Sequence, residues 1–425
     1  MDRANRKCVM LLITPTSYRG GAFNAAAHRL AIDVVHGIDV PDTLSREWDV
    51  ELPLDFSRPH VSTDRIADFV ADHPVDAIIS VDDSASILAA MATSRLGLPG
   101  NDPNAALAAR DKHVMRRLLA EHGVPVPVFR AFPAYADPLA TSTAIDFPCV
   151  VKPTLLSGSR GVIRANDPDE FVQAVMRTRG VIHDDGETLE SATVLVEDFI
   201  PGFEVALEGL LDAGELQVLA LFDKPDPLDG PFFEETIYVT PSRLPADVQS
   251  AIADCTRRAA EALGLREGPV HAELRVNEQG PWILEIAGRS IGGLCSTILE
   301  FGTGYALEEL ILMQATGTRV RGMKRNAGAV GVMMIPIPSG GILRSVSGIE
   351  EANQVPGITG IEITARVNHS IVPLPEGSSY LGFIFARGTT PREVEQSLRD
   401  AHDRLEFRIT PEIRLRTVAI GNSGR

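Results

Sequence analysis

Short apolar runs alternate with Ala-rich segments of helical period along the first hundred residues. The run 8–14, CVMLLIT, predicts a buried strand, and Ala22–Ala31 predicts a helix after the loop Thr16–Gly21. Asp33–Val40 and Asp76–Val81 read as further strands, and Ser84–Leu96 as a helix closed by Gly97. Strand and helix in alternation imply a parallel sheet that takes ligands at the carboxyl ends of its strands. Asp82 and Asp83 lie at such an end. Capping of the next helix and substrate contact both suit them.

The pattern then changes. Asn101–Gly123 is mostly helical, as Asn104–Arg110 and Lys112–His122, and Val124-Pro125-Val126-Pro127 marks a boundary. Phe147–Pro153 is an apolar strand carrying Lys152, followed by a Ser/Gly turn at 154–162 and a helix over Asp167–Thr178. Thr193–Ile200 and Glu204–Leu211 are strands, 223–231 is an excursion rich in Pro and Asp, and Leu244–Leu263 is a helix. Val270–Val276 and Trp282–Ile286 predict a hairpin with a longer loop over Asn277–Pro281. Ala306–Gln314 is helical. Beyond residue 320, short strands (Ala329–Ile335, Ile358–Ala365, Gly382–Ala386) and a helix at Pro391–Leu405 suggest a smaller α+β unit.

A length of 425 residues implies more than one core. The net charge of −17 argues against nucleic acid or an anionic membrane as partner. Cys8, Cys149, Cys255 and Cys295 form no CxxC pair, which fits small core residues in a reducing cytoplasm. The apolar run Val9–Ile13 is too short for a signal core or a membrane span.

Each strand of the expected hairpin carries one carboxylate, Glu273 and Glu285, in apolar surroundings. Strand parity lets both face the same way, and two like charges in a half-buried sheet call for a cation such as Mg²⁺. Two exposed strand glutamates are the plain alternative. Arg289, among Gly288, Gly292 and Gly293, could fork phosphate oxygens. Lys152 ends an apolar strand, where an anion would offset its burial. The turn Ser157-Gly158-Ser159-Arg160-Gly161 could present N–H groups to phosphates, although neither a Walker A loop nor GxGxxG is present. Apolar walls at Glu197-Asp198-Phe199-Ile200 could take a base, with a carboxylate for ribose hydroxyls. Ser, His and Asp residues are too common to pick out a triad, and His183, His271 and His369 are isolated, which disfavours zinc. His271 shares a strand face with Glu273.

The order of these signals resembles the ATP-grasp ligases, and within them the L-amino-acid ligases of dipeptide-forming type. The Glu235-Thr236 … Pro241-Ser242 element and the Gly-Phe-Ile-Phe-Ala block at 382–386 are also similar to that branch. The resemblance implies an α/β fold of ATP-grasp architecture. Its parts would be an N-terminal parallel, biotin-carboxylase-like domain (1–105), a split α+β ATP-grasp domain (106–320, lobes about 125–200 and 201–320) and a C-terminal α+β cap (321–425). It implies that Lys112 and Lys152 hold ATP phosphates under the turn of Ser157, Gly158, Ser159 and Gly161. Glu197, Asp198, Phe199 and Ile200 would form the adenine hinge, and Glu204 would hold the ribose. Glu273 and Glu285 would bridge two Mg²⁺ ions, with Mn²⁺ as a substitute, and Arg289 would steady the transferred phosphoryl group. Glu235 would face a substrate amino group, assisted by Asp83, with His271 nearby. Many ATP-grasp enzymes read Glu-x-Asn-x-Arg where this chain has Glu285-Ile286-Ala287-Gly288-Arg289. Tyr238 stands where dipeptide ligases have histidine, and Gly293 where some have a bulky aromatic, which suggests room for a substrate larger than alanine. The implied activity is amide formation between a carboxylate and an amine, amino acids among them, through an acylphosphate, with ADP and phosphate released. A homodimer is the base-rate expectation. A bicarbonate-activating carboxylase and a non-catalytic nucleotide or amino-acid sensor are the alternatives.

Overall fold

A computed structural model describes residues 6–412, so the outer ends of the first and last expected domains, 1–5 and 413–425, lie outside the described residues. Near the N-terminus four parallel strands lie in the order Leu52–Leu54, Asp33–Asp39, Cys8–Ile13, Ala77–Ser80. Both faces of Cys8–Ile13 are covered, which is why its sequence is apolar throughout. Val9 and Leu11 pack with Phe23, Ala26 and Ala27 of the helix Gly20–Leu30. Met10 and Leu12 pack with Leu52, Leu54 and Ile66 on the other side. Leu52–Leu54, a three-residue strand with a central proline, reads as a turn, whereas the helix Pro59–Asp72 does carry a signature in Ile66, Phe69 and Val70 at helical spacing behind Pro59.

A small antiparallel sheet follows, in the order Phe129–Pro133, Thr193–Asp198, Cys149–Pro153, Ile163–Ala165. Its covering helix runs Pro168–Asp184, beyond the expected Thr178, because the next turn buries Val181 and Ile182. Asp167 caps it by accepting the Glu170 N–H.

The main body is an eight-stranded antiparallel sheet. Its order is Gly280–Ala287, Gly268–Asn277, Phe203–Asp212, Glu215–Lys224, Ile237–Thr240, Ala329–Ile335, Gly382–Gly388, Ile358–Ile363. Ile237–Thr240 pairs directly with Ala329–Ile335. The sheet therefore runs across the boundary expected at residue 320. The helices Lys112–Glu121 and Ala246–Leu263 pack on one face through Met115, Leu119, Ile252 and Ala259.

At the edge of this sheet the central hairpin has a two-residue loop, Glu278-Gln279, not a longer one; Asn277 pairs with Gly280. The Asn277 side chain accepts the Gln279 N–H at 2.9 Å and the Trp282 indole N–H at 3.2 Å, which supplies the turn locally. Farther up, the register slips. Leu274 pairs with Ile283 but Glu273 pairs with Glu285, so Leu284 is an extra, bulged residue. The core explains the bulge. Ile283 and Ile286 are both buried against the helical layer, and residues three apart cannot share a strand face without an inserted residue. The same insertion turns Glu285 to the opposite face, alongside Glu273.

Candidate active site

That opposite face floors a cavity of about 410 Å³, closed by the carboxyl ends of the parallel strands and by the small sheet. Its lining takes in Lys112, Lys152, Ser157, Gly158, Ser159, the segment Glu197–Ile200, Glu204 and Asp83. Glu235, Tyr238, His271, Glu273, Glu285, Arg289 and Gly293 also line it. Gly161 does not. Its N–H donates to the Pro375 carbonyl at 2.8 Å, and Arg160 Nε donates to the Glu376 carbonyl at 3.3 Å. The end of the Ser/Gly turn is thus committed to the C-terminal segment, and Ser157–Ser159 are the part of it that faces the cavity.

The charged groups are sorted into four sets. Glu197 is almost fully buried between Arg116 Nε at 2.5 Å and Lys152 Nζ at 2.6 Å. Burial alone would raise its pKa, but the two cations overcome that and hold it below the ordinary glutamate value. Burial pulls the Lys152 ammonium below its usual range, with Glu197 opposing. Glu197 therefore anchors a lysine and offers no carboxylate to a ribose. The N–H groups of Asp198 and Phe199 donate to the Val128 and Pro148 carbonyls at 2.9 and 3.0 Å, so neither can read a base edge. Phe199 carries the guanidinium groups of Arg164 and Arg275 at 4.1 and 4.8 Å from its ring centre and stacks loosely with Phe233.

In the second set, the Lys224 ammonium lies among Glu204 at 2.9 Å, Glu273 at 3.4 Å and Glu235, in close contact. Burial opposes its charge, and these carboxylates together raise its pKa well above the usual value. Arg275 takes the second oxygen of Glu204 at 3.0 Å. Both oxygens of Glu204 are thus engaged by protein cations, and each keeps a lone pair for a further donor in the cavity. Ligand oxygens of Glu204, Glu235 and Glu273 lie within 4.8 Å of one another, spacing that would suit a metal. Lys224 and Arg275 already offset part of that negative charge.

The third set joins the hairpin to the Ser/Gly turn. Lys112 Nζ contacts Glu285 at 3.2 Å and donates to the Leu156 carbonyl at 2.7 Å. Glu285 and Glu273 stand directly opposite each other across the ladder, with side chains 28% and 25% exposed to the cavity. Hard oxygens on adjacent strands, open to the cavity, fit a divalent ion, so this pair is the better metal donor set.

The fourth set is Arg289 with Asp83 at 2.8 Å, across from the parallel sheet; Arg289 also donates to the Ser290 carbonyl. Asp82, at the N-cap of the short helix that begins with Asp83, makes no side-chain capping bond. His271 completes the floor. Its Nδ1 lies 3.1 Å from Glu208 and its Nε2 3.7 Å from Glu273. Burial would lower its pKa, but these two carboxylates push it up to about 9.

Gly293 leaves no empty space. A Cβ built on it would meet the Phe383 ring at 3.0 Å, and its φ is +58°. Phe383 fills the volume that the glycine was expected to free. Gly293→Ala is expected to cost ~1–3 kcal/mol from left-handed strain and overpacking, seen as a lower urea midpoint.

Several residues were not singled out from the sequence: Arg19 and Arg275, which line the cavity, and Arg116, Lys224 and Glu208, which hold groups that line it. Arg275 was within reach, since the two-residue parity that groups His271 with Glu273 extends to it. Lys224 ends an apolar strand as Lys152 does.

A model of the ATP-grasp domain matches residues 145–298, one of the ATP-grasp N-terminal domain matches 23–100, and one of the L-amino acid ligase C-terminal domain 2 matches 333–410. A D-alanine–D-alanine ligase of Gloeobacter violaceus is 32% identical over 234 residues, 51% of this chain and 72% of the relative. An L-amino acid ligase structure from Bacillus licheniformis superimposes with a TM-score of 0.82 at 27% identity, over 95% of this chain and 99% of that one. The chain belongs to the ATP-grasp superfamily, in its L-amino-acid ligase branch. An alanine–anticapsin ligase of Bacillus subtilis is 29% identical over 240 residues; the match takes in 52% of this chain and half the length of that ligase. ATP-grasp membership implies use of ATP, typically with Mg²⁺. Among the described residues no helix is long and apolar enough to cross a membrane.

Proposed function

We propose that this protein joins a carboxylate to an amine at the expense of ATP, with amino acids as the substrate class. The observation that carries this reading is the facing pair Glu273 and Glu285, open to one cavity with Lys112, Lys152 and Arg289. In the proposed chemistry a substrate carboxylate oxygen bonds to the γ-phosphorus of ATP as the bond to ADP breaks, giving an acylphosphate. The amine then bonds to the carbonyl carbon, phosphate leaves and an amide forms. Bound Mg²⁺ would supply charge neutralisation between Glu273 and Glu285.

The chain's own groups account for the rest. Lys112 and Arg289 present positive charge where phosphoryl oxygens gather negative charge, and each is held by a carboxylate that fixes its direction. Lys152 is pre-aimed by Glu197. Ser157–Ser159 cover the phosphates and limit water, which would otherwise consume the acylphosphate. Glu235 and Tyr238 lie toward Tyr380 and Phe383, where the substrate amine and side chain would sit. We further propose two ions at the carboxylate pair, Mn²⁺ as a working substitute, a cytoplasmic homodimer and an N-terminal functional unit ending near residue 105.

The test is a phosphate-release screen over pairs of amino acids and small acids, with products read by mass spectrometry. ADP, phosphate and amide should appear together, in equal amounts, and only when acid and amine are both present. Bicarbonate-driven ADP release without an amine, or tight ATP binding with no phosphate from any pair, would overturn the reading.

A further inference from the structure

One buried carboxylate takes no part in the chemistry above, and among the described residues its only ion-pair partner is a histidine, with Arg19 acting on it from farther off. Glu208 lies in the strand Phe203–Asp212, with its side chain fully buried. Its Oε2 accepts from His271 Nδ1 at 3.1 Å and from the Ile291 N–H at 3.0 Å, while Oε1 has no partner. Burying a carboxylate in this way is costly, and an apolar side chain of similar size would ordinarily pack there at least as well. The two groups that Glu208 does hold explain its place.

The strand register shows what they are. Glu204, Ala206 and Glu208 stand opposite Arg275, Glu273 and His271 respectively. A carboxylate therefore faces the basic residue on either side of Glu273, and the small Ala206 faces Glu273 itself. The bond from Nδ1 to Glu208 turns the imidazole so that Nε2 points at Glu273 Oε1, 3.7 Å away. The bond from the Ile291 N–H fixes the segment two residues beyond Arg289. We infer that Glu208 is a positioning residue: through His271 it orients the metal carboxylate Glu273, and through Ile291 it sets the segment that carries Arg289. Groups that hold a ligand from behind in this way govern metal affinity even though they never touch the ion.

This inference rests on the metal reading above, and the experiment separates the two. Mn²⁺ binding to the full-length protein in the presence of ADP is followed by electron paramagnetic resonance, alongside the thermal melt and the steady-state constants. Glu208→Gln keeps an acceptor oxygen for both His271 and Ile291; Glu208→Leu removes it. Glu208→Leu should weaken Mn²⁺ binding ~10–100-fold and lower kcat more than it changes the KM for ATP. Glu208→Gln should stay close to the unaltered protein on both measures. If the unaltered protein binds no Mn²⁺ with ADP, the metal reading itself fails. If it binds and folded Glu208→Leu binds equally well, or if Gln and Leu weaken binding alike, only the positioning role fails. Should Glu208→Leu not fold, His271→Leu breaks the same link. Weakened Mn²⁺ binding in that folded variant supports the role, and unchanged binding overturns it.

Discussion

Glu285→Gln is expected to cut amine-dependent ADP release by ~10²–10³ while leaving the fold intact. The size of the effect follows from where the charge is lost. Glu285 supplies one of two facing carboxylates, and its amide would keep the shape but lose the negative charge and the hard donor oxygen. Lys112 would also lose its carboxylate partner, keeping only the Leu156 carbonyl. Stability should barely move, because the side chain is 28% exposed and belongs to no core cluster. Initial rates at saturating ATP, together with a melting curve, check both halves. Unchanged turnover would remove the metal assignment.

Glu197→Leu should act in the opposite way, on stability first. Its removal leaves Arg116 and Lys152 buried without their shared anion, a loss of ~3–5 kcal/mol. Activity measured on the folded fraction would fall as well, since Lys152 loses its aim. The pH dependence gives an independent reading. The folded-state pKa of Glu197 is depressed, so its contribution is present above the unfolded value of about 4.3 and fades as pH falls through the folded value. The difference in urea midpoint between unaltered protein and variant should thus be full at neutral pH and shrink in acid below about pH 4. A difference that stays constant into acid would contradict the triad.

Much of the fold could be read directly. Ala329–Ile335 and Cys8–Ile13 announce themselves because each is buried on both faces and therefore apolar throughout. The facing of Glu273 and Glu285 was also legible, but not its cause. Simple alternation would have put Glu285 on the same face as Ile283; the bulge at Leu284 is imposed by the core, which claims Ile283 and Ile286 together. The partners of Glu204, Glu197 and Gly161 could not be read, for a common reason. Lys224, Arg116 and Pro375 reach them from other elements, and no local pattern ties such pairs. The space beside Gly293 was misjudged likewise, since the ring that fills it comes from the strand Gly382–Gly388.

The unbroken eight-stranded sheet also bears on protein engineering. A chimera spliced near residue 320, exchanging the last quarter of the chain for that of a relative, would part Ile237–Thr240 from Ala329–Ile335. The exposed backbone groups would have to re-pair with a foreign strand in the same register, or else recruit another molecule and aggregate. Recombination should therefore carry Ile237–Thr240 along with the C-terminal strands, as one inherited block.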